Sequence, residues 1–220
     1  MPPTGSSSTD SAPLHSTQSY LDLVDWRRRV GDLYRLRGPG ALEEFRRGRD
    51  RLFREHPQSP IPQDERETFG GLRYFSPDPA YRLRCRLEPS DGSQLVVDTG
   101  GDDGVIRYRR AGQLRFQVQG RDCRLTVFSI AAYAGGLFLP FADTTSGQET
   151  YGAGRYLFDT VKNTDGLALE LEAGSNEVTI DFNYAYNPSC AYSPLWACPL
   201  APPENRLPVA VRAGELTYPT

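Results

Sequence analysis

Early in the chain, apolar positions recur at helical spacing. Leu23, Trp26, Val30, Leu33 and Tyr34 can share one face, and Leu42, Phe45, Leu52 and Phe53 form a second stripe. Ser19 precedes Asp22 in the manner of a loose capping box, so the first helix is expected to start near Ser19. Gly38, Pro39 and Gly40 stop it, and His56-Pro57 with the following Pro60 and Pro62 stops the second. The pattern therefore predicts two helices within residues 19–56.

After Pro62 the period changes from helical to alternating. Tyr81 to Glu88 (YRLRCRLE) alternates apolar and charged side chains, as a half-buried strand should. QLVVD follows an Asp91-Gly92 turn; VIRYRR, then QLRFQVQ after Ala111-Gly112, and CRLTVFSI come next. GLFLP, GRYLF, LALEL, EVTIDF and LPVAVR complete a set of about ten short strands separated by Gly, Asp or Asn turns. The expected fold is mainly β: an antiparallel sandwich or barrel, with the two N-terminal helices packed across one end or open edge. No repeat of fixed period is present.

Composition narrows this picture. The 220 residues suit one domain, read here as a polar, disordered tail over 1–18 and a single folded unit over 19–220. Within that unit, 19–56 is the helical segment and 62–220 the β domain. A mean hydropathy of -0.53, without a long apolar run, argues against a membrane-spanning helix. The opening residues lack the basic-then-apolar order of a secretory signal, so the expected location is the cytoplasm, with reduced thiols at Cys85, Cys123, Cys190 and Cys198. A net charge of -3 argues against a nucleic-acid partner. The arginine-rich helices read as a solvated face with ion pairs, or alternatively as an anion-binding face.

Most familiar catalytic motifs are missing: there is no Gly-rich phosphate loop, no GxSxG elbow and no HExxH. His15 lies in the tail, and His56 stands at a helix end, where it either interacts with the helix carbonyls or serves as a base or ligand folded over the site. Cys190 and Cys198 are spaced too widely for a zinc knuckle, and neither a metal nor a cofactor is expected. A buried thiol pair is the plain reading, with Pro194 able to bend the loop into a disulfide under oxidation. The local sequence offers no cation to activate either thiol.

The polar residues that stand out lie between Thr144 and Arg206. Alternation in EVTIDFNYAY would put Asp181, Asn183 and Ala185 on one face, with Ile180, Phe182 and Tyr184 on the core side. In GRYLF the same rule aims Arg155 away from Tyr156. An Arg beside an acid on a neighbouring strand is either a planar fork for a carboxylate or phosphate, or a salt bridge locking two strands. Asn187, before Pro188, either starts a turn or contributes to a site.

Several longer phrases carry a resemblance. WRRRVGDLYRLR, RDRLFREHPQSPI, FGGLRYFSPDPAYR, LFLPFADTTSGQETYGAGRY and IDFNYAYNPSCAYSPLWACPLAPPENRLPVAVRAGE are similar to the bacterial and archaeal family called domain of unknown function 1684. The similarity spans roughly Tyr20 to Glu215. The signature residues fall on Phe141, Asp143, Thr145, Gly147, Glu149, Tyr151, Gly154, Arg155 and Tyr156, then on Asp181, Asn183, Asn187, Pro188, Cys190, Tyr192, Cys198, Pro199, Glu204 and Asn205. The resemblance implies where the folded unit and its site lie, and no particular reaction.

Two function classes follow. In the first, a small molecule is bound, or transformed, in a polar pocket of the β domain. Glu149 or Asp181 would serve as base or acid and Tyr151 as a hydroxyl donor, with Arg155, Tyr156, Asn183, Tyr186 and Asn187 holding the ligand. In the second, a non-catalytic interaction module presents its Pro-rich CPLAPPENRLP loop to a partner. A pocket lined by Arg155, Asp181 and Asn183 would favour the first. An exposed aromatic patch around Tyr192 and Trp196, with the charges paired off, would favour the second.

Overall fold

The computed structural model describes residues 16–98, 104–131 and 135–219. His15 and nearly all of the expected tail lie outside these. Helix α1 (Thr17–Tyr34) begins slightly before the expected Ser19, because Ser16 is the residue that caps it: its hydroxyl accepts the Ser19 N–H at 3.1 Å. Helix α2 (Ala41–Glu55) is entered through Gly40 at φ 81, a left-handed turn that suits glycine. Glu43 and Glu44 sit in its first turn and Arg54 in its last, each complementing the helix dipole. The two helices touch closely at Gly48, where an added Cβ would lie 2.2 Å from Leu33 Cδ2. His56 fastens them together: its Nε2 lies 3.1 Å from Asp25 Oδ2, and its Nδ1 accepts the Gln58 N–H.

Among the described residues, eight strands form one antiparallel sheet. They are β1 (Arg82–Glu88), β2 (Gln94–Asp98), β3 (Val105–Val118), β4 (Arg121–Ile130), β5 (Leu137–Phe141), β6 (Arg155–Asp159), β7 (Leu169–Leu171) and β8 (Glu177–Asp181). Their order is β6-β5-β4-β3-β1-β8-β7, with β2 paired to β3 beside this path. The chain just after β8 returns to β6, where Tyr156 and Tyr186 exchange backbone hydrogen bonds of 2.8 and 2.9 Å. The sheet thereby curls into a nearly closed barrel.

Two expected strands are absent for physical reasons. VIRYRR and QLRFQVQ are one strand, β3, because Ala111-Gly112 forms a bulge between Arg110 and Gly112 against β4 instead of a turn. Gly112 is required there, since a Cβ would meet the Glu88 carbonyl oxygen at 2.7 Å. LPVAVR pairs only sparsely, through Leu207 N to Ala142 O (2.7 Å) and Thr144 N to Val209 O (3.2 Å). Its Leu207, Val209 and Val211 are nonetheless buried, so the segment is an extended plug that seals the barrel wall.

The alternation predicted across Asp181 to Ala185 also stops early. Strand β8 ends at Asp181, and Phe182–Tyr184 is a tight helical turn capped by the Asp181 carboxylate on the Asn183 N–H at 2.9 Å. All five residues are buried instead of dividing between two faces. The main core joins α1 and α2 to one side of the barrel, and a smaller aromatic cluster of Tyr108, Phe128, Phe138, Tyr156 and Tyr186 fills another. Among the described residues, no helix is long and apolar enough to cross a membrane.

Candidate functional site

Arg155 opens β6 with its side chain wholly buried. Its NH2 donates to Asp143 Oδ2 and to the Val211 carbonyl, both at 2.8 Å, while NH1 donates to the carbonyls of Ala213 and Glu215. Burial lowers the Arg155 pKa, and the facing Asp143 opposes that shift. The guanidinium thus ties β6 to the plug. Its acid is Asp143, not Asp181 or Glu149, because the bend after β5 brings Asp143 inward while β8 lies elsewhere in the sheet.

The other expected acids are also engaged. Glu149 forms a surface ion pair with Arg212 at 3.0 Å. Asp181 and Asn183 make a closed turn that holds Asp78: the Asn183 amide donates to the Asp78 carbonyl at 2.9 Å and accepts its N–H at 3.0 Å. Arg155, Asp181 and Asn183 therefore do not meet around one pocket. The Tyr151 hydroxyl points to Cys190, 3.6 Å from its Sγ.

A different group of polar side chains does converge. Glu215 is 1% exposed, and its Oε2 accepts from Arg49 NH2 at 2.9 Å and from the Asn187 N–H at 3.2 Å. Tyr192 donates to the other oxygen through its hydroxyl, and Arg49 Nε donates to Tyr74 Oη at 3.1 Å. Burial disfavours charge on both members of the pair. On Arg49 the surrounding Tyr74 and Glu215 prevail and raise its pKa, so it stays protonated; on Glu215 burial prevails and pushes the carboxyl up.

Above this network lies a cavity of about 410 Å³ between the two helices and the chain from Tyr186 to Cys198. Trp26, Val30 and Phe53 contribute apolar wall from the helices; Pro188 and Trp196 contribute it from the other side. Arg27, Arg49 and Lys162 bring positive charge to the lining. Tyr156, Tyr186 and Asn187, three of the residues expected to hold a ligand, line it as well. The Tyr156 hydroxyl is engaged by the Pro199 carbonyl at 2.6 Å and that of Tyr186 by Thr164 Oγ1 at 2.8 Å. Asn187 donates its amide to the Leu216 carbonyl at 2.8 Å, but its Oδ1 is buried and has no hydrogen-bond partner among the described residues.

The family model for a protein of unknown function, DUF1684, matches residues 67–216, more than half of the chain. The chain belongs to this family. It is also similar to the solution NMR structure of an uncharacterized protein of Haloarcula marismortui, at 41% identity and a TM-score of 0.57, covering 80% of this chain and 92% of that one. No curated protein matches it. The family match takes in the barrel, the plug and one wall of the cavity, whereas α1 and α2, which supply Trp26, Arg49 and Phe53, precede it.

For this DUF1684 member, the residues that sequence reasoning missed are those on the helices and Lys162. Arg49 carried a signal. It stands four residues after Phe45 and four before Phe53, on the apolar stripe where a solvated arginine does not belong. Lys162, the only lysine, had none: it sits in the short turn after β6, far in sequence from Cys198, with which it lines the cavity.

Proposed function

We propose that this chain binds a small molecule carrying an acidic group, a hydrogen-bond donor and an apolar body, in the cavity between the helices and the Tyr186–Cys198 segment. The observation that carries the reading is the unpartnered, buried Oδ1 of Asn187 beside the cationic Arg49 in the cavity lining. An unpaired buried acceptor asks for a donor, such as a hydroxyl or an amine. Arg49, with Arg27 and Lys162 at the lining, suits a carboxylate or phosphate. Trp26, Phe53 and Trp196 suit an apolar or ring-bearing body. Glu149 and Asp181, occupied elsewhere, support binding here more than acid–base catalysis.

The test is capture of metabolites by the purified full chain, identified by mass spectrometry and followed by calorimetry with the captured compound. Lys162 is about half exposed, so Lys162→Gln should fold normally and weaken an acidic ligand. Capture of no acid, or equal affinity in Lys162→Gln, would refute the assignment.

The reading as an interaction module keeps one observation in its favour. Leu195 and Trp196, just before the Pro-rich loop, and Leu200 within it are 88%, 38% and 48% exposed. Against it, Tyr192 is buried and bonded to Glu215 and belongs to no surface patch. A Leu195→Ser, Leu200→Ser variant that loses a binding partner while keeping the metabolite would favour this second reading.

A further inference from the structure

The wall of the cavity contains a second chemical feature. Cys198 lines the cavity, and its Sγ accepts the Cys190 N–H at 3.4 Å. That bond sets the two cysteines side by side, both partly exposed and both free. Tyr151 Oη lies 3.6 Å from Cys190 Sγ, and the charge of Lys162 acts on Cys198. Cys190 itself lies within the short helical turn Ser189–Ala191, which aims its N–H at the Cys198 sulfur.

We propose that Cys190 and Cys198 form a redox-active dithiol, with Cys198 the attacking sulfur reached from the cavity and Cys190 the resolving one. This assignment does not rest on a ligand binding in the cavity. The Cys198 thiolate attacks one sulfur of a small disulfide, R–S–S–R. A Cys198–S–S–R bond forms as the S–S bond of the small disulfide breaks, and the other RS group leaves as its thiolate. Cys190 then gives its proton to solvent and attacks the Cys198 sulfur, closing the Cys190–Cys198 bond and expelling the remaining R as thiolate. Two electrons pass from the protein thiols to the small disulfide, which leaves as two thiols.

The cavity assigns these roles, because Cys198 lines it and Cys190 does not. The Cys190 side chain, hydrogen-bonded to Cys198, together with the Cys190 and Ser189 N–H groups and Lys162, outweighs burial and lowers the Cys198 thiol to about 6. The same interaction, with burial, raises Cys190. Lys162, in the turn after β6, lines the same cavity as Cys198 and adds a smaller favourable charge that the local sequence lacks. Cys85 and Cys123 are buried, and burial raises both, so they serve as internal inert thiols.

The experiment uses the reduced, folded full chain. At neutral pH, iodoacetamide should modify Cys198 at least about ten-fold faster than Cys190. Oxidised glutathione should then convert the wild type into a species lighter by two hydrogens. Chymotryptic cleavage after Tyr192 and Trp196 should show its two cysteine peptides joined. Cys190→Ser should stop at a stable glutathionyl adduct on Cys198, and Cys198→Ser should form no adduct at Cys190. Lys162→Gln should slow alkylation of Cys198 in the folded chain. Equal alkylation of the two thiols, adduct formation at Cys190 in Cys198→Ser, or oxidation without an internal bond would each overturn the assignment.

Discussion

Arg49 and Glu215 are 166 residues apart in sequence, yet they meet at 2.9 Å with side chains only 7% and 1% exposed. This pair joins the second helix to the segment that follows the plug. Removing one partner leaves a buried charge unopposed, whereas removing both leaves a neutral core. Arg49→Met should therefore cost about 3–5 kcal/mol of stability, and Arg49→Met combined with Glu215→Gln should recover part of that loss. Urea unfolding of the two variants decides it; a double variant no more stable than the single one would mean that the charges are not coupled.

Arg155 leads to a related prediction of different character. It serves one carboxylate and three backbone carbonyls, so the charge and the planar fork both matter. Arg155→Met should destabilise by about 3–5 kcal/mol, since Asp143 is left buried without its partner. Arg155→Lys should also lose stability, because one ammonium cannot reach all four acceptors. Binding of a cavity ligand by whatever fraction remains folded should be unchanged, since Arg155 is engaged by the plug. Affinity measured on folded Arg155→Lys provides the check, and a large fall would return Arg155 to the site.

How much of this was legible in the sequence differs from element to element. The mainly β class followed from the clean alternation of segments such as Tyr81 to Glu88, because a one-sided strand prints its burial directly on the chain. Ala111-Gly112 misled, since a small residue before glycine reads as a turn when its bulge depends on the partner strand β4. Asp181 to Ala185 misled in the same way: the carboxylate that appeared to line a face instead ended the strand by capping. Tyr156, Tyr186 and Asn187 were found because they cluster within the motif-rich stretch. Arg49, Lys162 and the Arg155 partner Asp143 were not, because their relationships cross many residues and exist only once the barrel has curled.

Asn205 illustrates a polar residue whose role is structural rather than chemical. It is fully buried, accepts the Thr126 N–H at 2.8 Å, and donates to the Thr126 and Pro140 carbonyls at 2.8 and 2.7 Å. It fills the place where β4 and β5 diverge and lack direct ladder bonds. Asn205→Ala leaves three buried backbone groups without that partner, at about 1–3 kcal/mol each if no water replaces it. Asn205→Asp should be worse, because a carboxylate cannot donate to the two carbonyls. Hydrogen exchange at the Thr126 amide should quicken in Asn205→Ala, and unchanged protection would exclude this bracing role.

Asp159 gives the pH-dependent prediction, and its sign follows from burial. The residue is 5% exposed at the end of β6, where its Oδ1 accepts the N–H groups of Val161 at 3.0 Å and Lys162 at 3.3 Å. Lys162 Nζ is 3.7 Å away, but burial outweighs these attractions and raises the carboxyl pKa. An unfolded aspartate titrates near about 3.9, so the folded chain holds the Asp159 proton more tightly than the unfolded chain does. Stability from this proton is then fully present below about pH 3.9 and is lost as pH rises through the raised folded value, at no more than about 1.4 kcal/mol per pH unit. Asp159→Asn removes the titration while its side-chain oxygen can still accept the two N–H groups. The stability of the wild type relative to Asp159→Asn should accordingly fall as the pH is raised from about 4 and become level once the native carboxyl is ionised. Urea unfolding of both proteins across that range makes the comparison, with other titrating groups such as Asp165 common to the two. A difference that instead grows with pH would mean that Lys162 and the capped turn outweigh burial, and that Asp159 is held ionised beside the cavity.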